Sequence, residues 1–154
     1  MERLLQTHGK VLGVDFGDVR TGLAVSDASR LLASGIGYIS PGGIEKTASA
    51  VADYVRENRI SAVVVGLPVN MNGTEGPRAE RAKKFVGLLE KQITCPVAML
   101  DERLSTKEAS RYLNETNTRG AKRKQVIDTL SAQIILQAAL DRLKFLAQQS
   151  ESSG

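Results

Sequence analysis

Cysteine and histidine are nearly absent from this chain: Cys95 and His8 are single representatives in 154 residues. A disulfide within the chain and a cysteine-based metal cluster are therefore excluded. A Ser-His-Asp or Cys-His mechanism, or a histidine zinc site, would rest on His8, in the N-terminal stretch where chains are commonly poorly ordered. Cys95 precedes Pro96 without an activating neighbour in the sequence and reads as an inert thiol. Tryptophan is missing and aromatic residues make up 4%, so a base-stacking platform is not indicated. No apolar run is long enough to span a membrane, and the N-terminus lacks the apolar core of a signal peptide. A reducing, cytoplasmic setting without a membrane partner is expected.

What is present fits a globular domain. The apolar fraction is 42% and the charged fraction 25%, close to the globular average, and the length suits one domain. The net charge of +4 tilts the expected partners toward polyanions without establishing them.

Along the chain, residues 1–9 read as a lead-in, 10–147 as the domain and 148–154, rich in serine, as a disordered tail. Strands are expected at Val11–Phe16, Gly22–Ser26 and Leu31–Ile39, joined by short links as an antiparallel meander. Pro41, Gly42 and Gly43 break the chain. The spacing of Ile44, Ala48, Val51, Ala52 and Val55 predicts one apolar face of a helix. Ile60–Val65 is a mostly β-branched run interrupted by Ser61 and Ala62, the pattern of a parallel strand covered on both faces. A second helix follows through Ala79, Ala82, Phe85, Val86, Leu89 and Ile93, then a strand over Pro96–Leu100. Ser105 and Glu108 form a capping-box pattern for a third helix reaching about Asn114. Thr116–Lys124 reads as a polar, basic loop, and a last helix is expected from about Gln125 to Ala147. Three hairpin-linked strands followed by βα alternation imply an α/β domain: a mixed five-stranded sheet flanked by helices.

Parallel strands in open sheets gather ligands at their carboxyl ends. The first, fourth and fifth strands end near Asp15, Gly66 and the pair Asp101-Glu102. Asp15 closes an otherwise apolar strand, where an unpaired buried carboxylate is costly. It calls for either a partner such as Arg20 or a cationic ligand. Asp27, after the second strand, reads equally well as a turn residue.

Four motifs in order carry a family resemblance: V-D-F-G-x-x-R-x-G-L-A-V-S-D, V-V-G-L-P-x-N-M-x-G-T-E, D-E-R-L-S-T-x-E-A and K-x-x-x-D-x-x-S-A-x-I-I-L. Together they cover Val11 to Leu140 and resemble the YqgF family, bacterial proteins similar to RuvC-type Holliday junction resolvases with a ribonuclease H-like fold. The resemblance implies a nuclease associated with maturation of the 5′ end of 16S ribosomal RNA. Its acidic site would be Asp15, Asp101, Glu102 and, on the last helix, Asp128, holding Mg²⁺ or Mn²⁺. Where the resolvases end their fourth strand in a glutamate, this chain has Gly66, and the Asp101-Glu102 pair is expected to substitute.

Carboxylates suit this chemistry. Phosphodiester hydrolysis needs an activated water and charge stabilisation on the leaving oxygen, and two divalent ions can supply both. Mg²⁺ prefers hard oxygen ligands. Arg20, Arg103, Arg119, Lys122, Arg123 and Lys124 are the expected contacts to nucleic acid, with phosphates held by charge. The expected partner is structured RNA, pre-16S rRNA or a pre-ribosome, or else branched DNA, bound by a monomer or homodimer. Alternatives are Holliday junction resolution and non-catalytic RNA binding in ribosome assembly, the latter motivated by Gly66. The D-x-G hairpin at Asp15-Phe16-Gly17 also resembles the actin and sugar-kinase group, but those proteins close two such domains around a nucleotide and this chain has room for one.

Overall fold

A computed structural model describes residues 1–104 and 120–153, with side chains described over 1–103 and 130–149. The elements are α1 (Glu2–Leu5), β1 (Val11–Asp15), β2 (Thr21–Ser26), β3 (Ala33–Ile39), α2 (Ile44–Glu57), β4 (Ala62–Leu67), α3 (Pro77–Glu90), β5 (Val97–Asp101), a 3₁₀ turn (Glu102–Leu104) and α4 (Gly120–Ser153). The five strands form one sheet in the order β3-β2-β1-β4-β5. β1 pairs antiparallel with β2, and β2 with β3, while β4 lies parallel to both β1 and β5. This is the mixed sheet that the hairpin-then-alternation order implies. The third helix expected from Ser105 lies outside the described residues.

Strand alternation divides the core in two. Leu12, Val14, Phe16, Leu23, Val63 and Val65 face α2 and α3, where Ile44, Ala48, Val51, Ala52, Val55, Phe85 and Leu89 meet them. All five residues of the helical face expected on α2 are buried there. Phe16 and Phe85 stack with ring centroids 4.8 Å apart and planes 16° from parallel, fixing α3 against the end of β1. Val11, Ala24, Ala62, Val64, Ala98 and Leu100 face the other way, onto Ala132, Ile135, Leu136, Ala139, Leu140 and Leu143 of α4.

Close approach by α4 depends on Gly13. A Cβ at this position would lie 2.6 Å from Leu136 Cβ and 3.1 Å from the Ala132 carbonyl oxygen. Even a methyl group would force the helix off the sheet.

Three boundaries differ from those expected. α4 begins at Gly120, so Lys122, Arg123 and Lys124 belong to a helix and not to a loop. The run Ala-Lys-Arg-Lys-Gln consists of strong helix formers, and the long helix that follows supplies the nucleus they need. At the other end α4 continues to Ser153 where a tail from 148 was expected; no proline or glycine interrupts it before Gly154. The lead-in is also structured: Leu4 is fully buried against the α4 side of the core. Arg30 clamps this segment by donating from Nε to the Gly9 carbonyl at 2.7 Å, from Nη1 to the Leu4 carbonyl at 2.9 Å and from Nη2 to Thr7 Oγ1 at 2.7 Å. Among the described residues no helix is long and apolar enough to cross a membrane.

Replacing Gly13 with alanine should destabilise the fold by about 1–3 kcal/mol, the usual cost of overpacking a close-packed core. The lowered urea midpoint would be read by circular dichroism; an unchanged midpoint would mean that α4 is not seated as tightly as described.

Candidate nuclease site

The site begins with the position of Asp15 in its row. On β1 it follows Val11 and Gly13 on the face covered by α4. Its cross-strand partner on β2 is Gly22, and because Val14 pairs with Val65, Asp15 stands beside Gly66 on β4. The residue is half-buried.

β5 separates the two acids expected to act as a pair. Ala98 and Leu100 face α4, whereas Val97 and Met99 pack on the α2–α3 side. Asp101 continues the row of Val97 and Met99, away from Asp15. The chain then tightens into the 3₁₀ turn, which returns Glu102 to the α4 side. A Cβ at Gly66 would lie 2.6 Å from Glu102 Oε1, 3.0 Å from Glu102 Cγ and 2.6 Å from Ile135 Cδ1. Glu102 thus lies across Gly66, in the space that a side chain at the end of β4 would take.

Asp101 is engaged elsewhere. Arg103 donates its backbone N–H to Asp101 Oδ1 at 2.9 Å, Nε to Oδ1 at 3.1 Å and Oδ2 at 2.9 Å, and Nη2 to Oδ2 at 2.6 Å. These bonds hold the Asp101 carboxyl below its usual pKa, with the Arg103 side chain as the main cause. The same contact raises the pKa of Arg103. Arg103 also reaches the loop after β4, its Nη1 lying 3.7 Å from a Cβ placed on Gly73. In that loop Asn70, Asn72 and Thr74 bond mainly to one another: Asn70 Nδ2 donates to Thr74 Oγ1 at 3.0 Å, and Thr74 Oγ1 to Asn72 Oδ1 at 2.6 Å. Their polar groups build the loop.

The β1–β2 turn borders the site on its other side. Gly17 allows the turn to close tightly, since a Cβ there would sit 2.3 Å from the Arg20 carbonyl oxygen. Asp18 accepts from Arg81 Nε at 2.9 Å and Nη2 at 2.7 Å, tying the turn to α3. Arg20 lies over the Tyr38 ring, with Cζ 5.3 Å from its centroid. Nothing in the composition pointed to Tyr38.

Position 128 lies on α4 one turn before Ala132, which packs over Gly13. The opposite end of α4, around Leu143 and Ala147, lines a cavity of about 390 Å³ with Gly9, so the helix runs antiparallel to β1. The backbone at 128 is therefore directed toward the Asp15 end of the sheet; the Asp128 side chain, like those of Lys122, Arg123 and Lys124, is outside the described set, and so is Arg119 altogether.

Asp27 proves to be a turn residue. Its Oδ1 accepts the backbone N–H groups of Leu31 and Leu32, each at 2.9 Å, and Oδ2 accepts the Ser29 hydroxyl. The Leu32 N–H is the largest cause lowering its pKa to about 2. The Cys95 thiol is pushed up by burial, in keeping with an inert role.

The model of the RuvX family, described as a Holliday junction resolvase, matches residues 9–142. The chain belongs to the RuvX family. A RuvX relative from Pelotomaculum thermopropionicum, named "Putative pre-16S rRNA nuclease", is 42% identical over 133 residues, covering 86% of each chain. One of the same name from Desulfitobacterium hafniense is 43% identical over 137 residues, 88% of this chain and 94% of its own. Among solved structures, RuvC of T. thermophilus in complex with Holliday junction substrate aligns with a TM-score of 0.55 at 18% identity, over 86% of this chain and 96% of that one. At that identity the likeness concerns the fold, and it places the RuvX sheet among RuvC-like, ribonuclease H-like architectures.

Two measurements check this geometry. Gly66→Ala should fold, because the three atoms crowding the new methyl belong to the Glu102 and Ile135 side chains and none to the backbone. The displaced Glu102 should show as lost nuclease activity in a protein that still melts cooperatively; full activity would mean that Glu102 is not held there. Asp27 has a folded pKa depressed from 3.8 to about 2, so its charge stabilises the fold above pH 3.8 and that contribution is lost as pH falls toward 2. The gap in urea midpoint between wild type and Asp27→Asn should be constant near neutrality and narrow across that acid window. A gap independent of pH would exclude the charge as its source.

Proposed function

We propose that this RuvX-family protein is a metal-dependent endonuclease that processes the 5′ end of pre-16S rRNA. The observation that carries the reading is Glu102 lying across Gly66, the register neighbour of Asp15, so that two acids from different strands share one face at the carboxyl end of a RuvC-like sheet. The names of the relatives support the choice of RNA.

A divalent ion fits the donor set. Among the described residues no three His, Cys, Asp or Glu side chains form a metal-holding group. Glu102 across Gly66 and Asp15 on the adjacent strand nevertheless put hard oxygen donors on neighbouring strands of one sheet face, and α4 runs with position 128 toward that end. Asp15, Glu102 and Asp128 would hold Mg²⁺ or Mn²⁺, ions that prefer such oxygens. The bound metal would activate water and stabilise charge on the leaving oxygen. Asp101 is assigned a different part, since its carboxylate is taken up by Arg103: it holds that guanidinium at the end of β5 for contact with phosphate. Lys122, Arg123 and Lys124, in the first turns of α4 ahead of Asp128, add the charge that makes affinity fall with salt.

The test is cleavage of 16S precursor RNA in Mg²⁺ or Mn²⁺, beside a four-way DNA junction. Asp15→Asn and Glu102→Gln should abolish cleavage, and Asp101→Asn should lower it by about 10- to 100-fold, as for a residue that orients rather than ligates. Cleavage surviving Asp15→Asn overturns the site. Cleavage of the junction in preference to RNA favours resolution of DNA. RNA binding without cleavage, with rRNA maturation intact in Asp15→Asn, favours an assembly factor.

A further inference from the structure

We infer that Tyr38 and Arg20 form a stacking seat for an unpaired nucleobase flanking the scissile phosphate; the inference rests on the nuclease reading of Asp15 and Glu102. Tyr38, Gly22 and Asp15 are cross-strand partners on three consecutive strands. Directly paired residues share a face of the sheet, so Tyr38 stands on the same side as Asp15. Two strand spacings of about 4.8 Å separate their backbones.

A bulge makes this alignment. Five residue steps on β3, from Ala33 to Tyr38, span four on β2, from Ser26 to Gly22, the register shifting between Leu23 and Ala24. Residues five apart on a regular strand face opposite ways. The extra residue at the bulge lets Ala33 pack under α4 and still directs Tyr38 to the same face. Bulges often re-aim a side chain beside a functional site.

The pair has the chemistry to take a base. The guanidinium lies 5.3 Å from the ring centroid, and arginine and aromatic planes are the usual surfaces on which unstacked RNA bases rest. Tyr38 stays 38% exposed on β3, the edge strand, so a base can reach it. Position agrees with chemistry. Across the carboxyl end of the sheet the order is Arg103, Glu102 over Gly66, Asp15, and then Arg20 on Tyr38. Among the described residues a cation stands on each flank of the acids, and the aromatic ring on one. A strand threaded across the acids would place its phosphates along this line, with the neighbouring base on Tyr38.

A single-stranded RNA carrying 2-aminopurine at successive positions tests this by fluorescence quenching, with affinity followed by anisotropy. Wild type should quench the probe at one position. Tyr38→Ala should abolish that quench and weaken binding by about 5- to 100-fold. Tyr38→Phe should restore both, and Arg20→Lys, which keeps the charge without the plane, should lose part of the quench. Thermal melts of Tyr38→Ala and Tyr38→Phe separate lost stacking from lost folding. Undiminished quenching and affinity in folded Tyr38→Ala, or no quenched position in wild type, overturns the inference. The nuclease reading fails separately: RNA that is bound and quenched but never cleaved removes that reading and leaves the stacking seat in place.

Discussion

The close seating of α4 on β1 is the constraint on which the rest depends. Glycine at position 13 brings the helix backbone within contact distance of the strand, with the Ala132 carbonyl and Leu136 Cβ filling the place of a side chain. Once that contact is made, Ile135 falls over Gly66 and the earlier turns of α4 are carried toward the end of β1. The cluster of Ala132, Leu136, Ala139 and Leu140 against Val11, Ala62 and Val64 then holds the helix in register. A helix of 34 residues is about 51 Å long at 1.5 Å per residue, well beyond the sheet it covers. The small residues at its centre decide where along that length it is gripped.

The two faces of the sheet divide the labour. Stacked Phe16 and Phe85 and the valine-rich rows make the α2–α3 face a hydrophobic seat. The α4 face carries the carboxylates where the strands end. Because side chains alternate, adjacent acids in the sequence cannot both serve one face while the strand stays regular. The chain resolves this at β5 by assigning Asp101 to hold Arg103 and turning Glu102 inward through the 3₁₀ segment. Gly66 is the complement of that turn: its missing side chain is the space the Glu102 carboxylate enters.

The loops around the site are held by charge at their margins. Asp18 bonds Arg81 and Glu75 pairs with Lys83, so the β1–β2 turn and the loop after β4 are tethered to α3, while Asp101 pairs with Arg103 within the end of β5. Exposed pairs of this kind are each worth about 0–1 kcal/mol. Their contribution is to loop placement more than to global stability.

The sequence by itself determined most of the elements and the antiparallel meander of the first three strands. The β-branched run before Gly66 reads as a strand covered on both faces, the α2 stripe as an amphipathic helix, and an aspartate closing an apolar strand marked the candidate site. These signals are local, carried by side-chain type and period. The tertiary structure alone decided which acid faces which. Asp101 and Glu102 are equivalent as letters, and their separation depends on the phase of β5 against β4 and on the tight turn after it. Tyr38 was hidden for the same reason: a bulge rephases β3 only in the context of its pairing with β2. Charged and polar composition also misled at α4, where Lys122 to Lys124 join a helix stabilised by packing far along the chain. Asp27, an acid after a strand like Asp15, became a turn residue because backbone N–H groups close around it, an arrangement that exists only once the hairpin has formed.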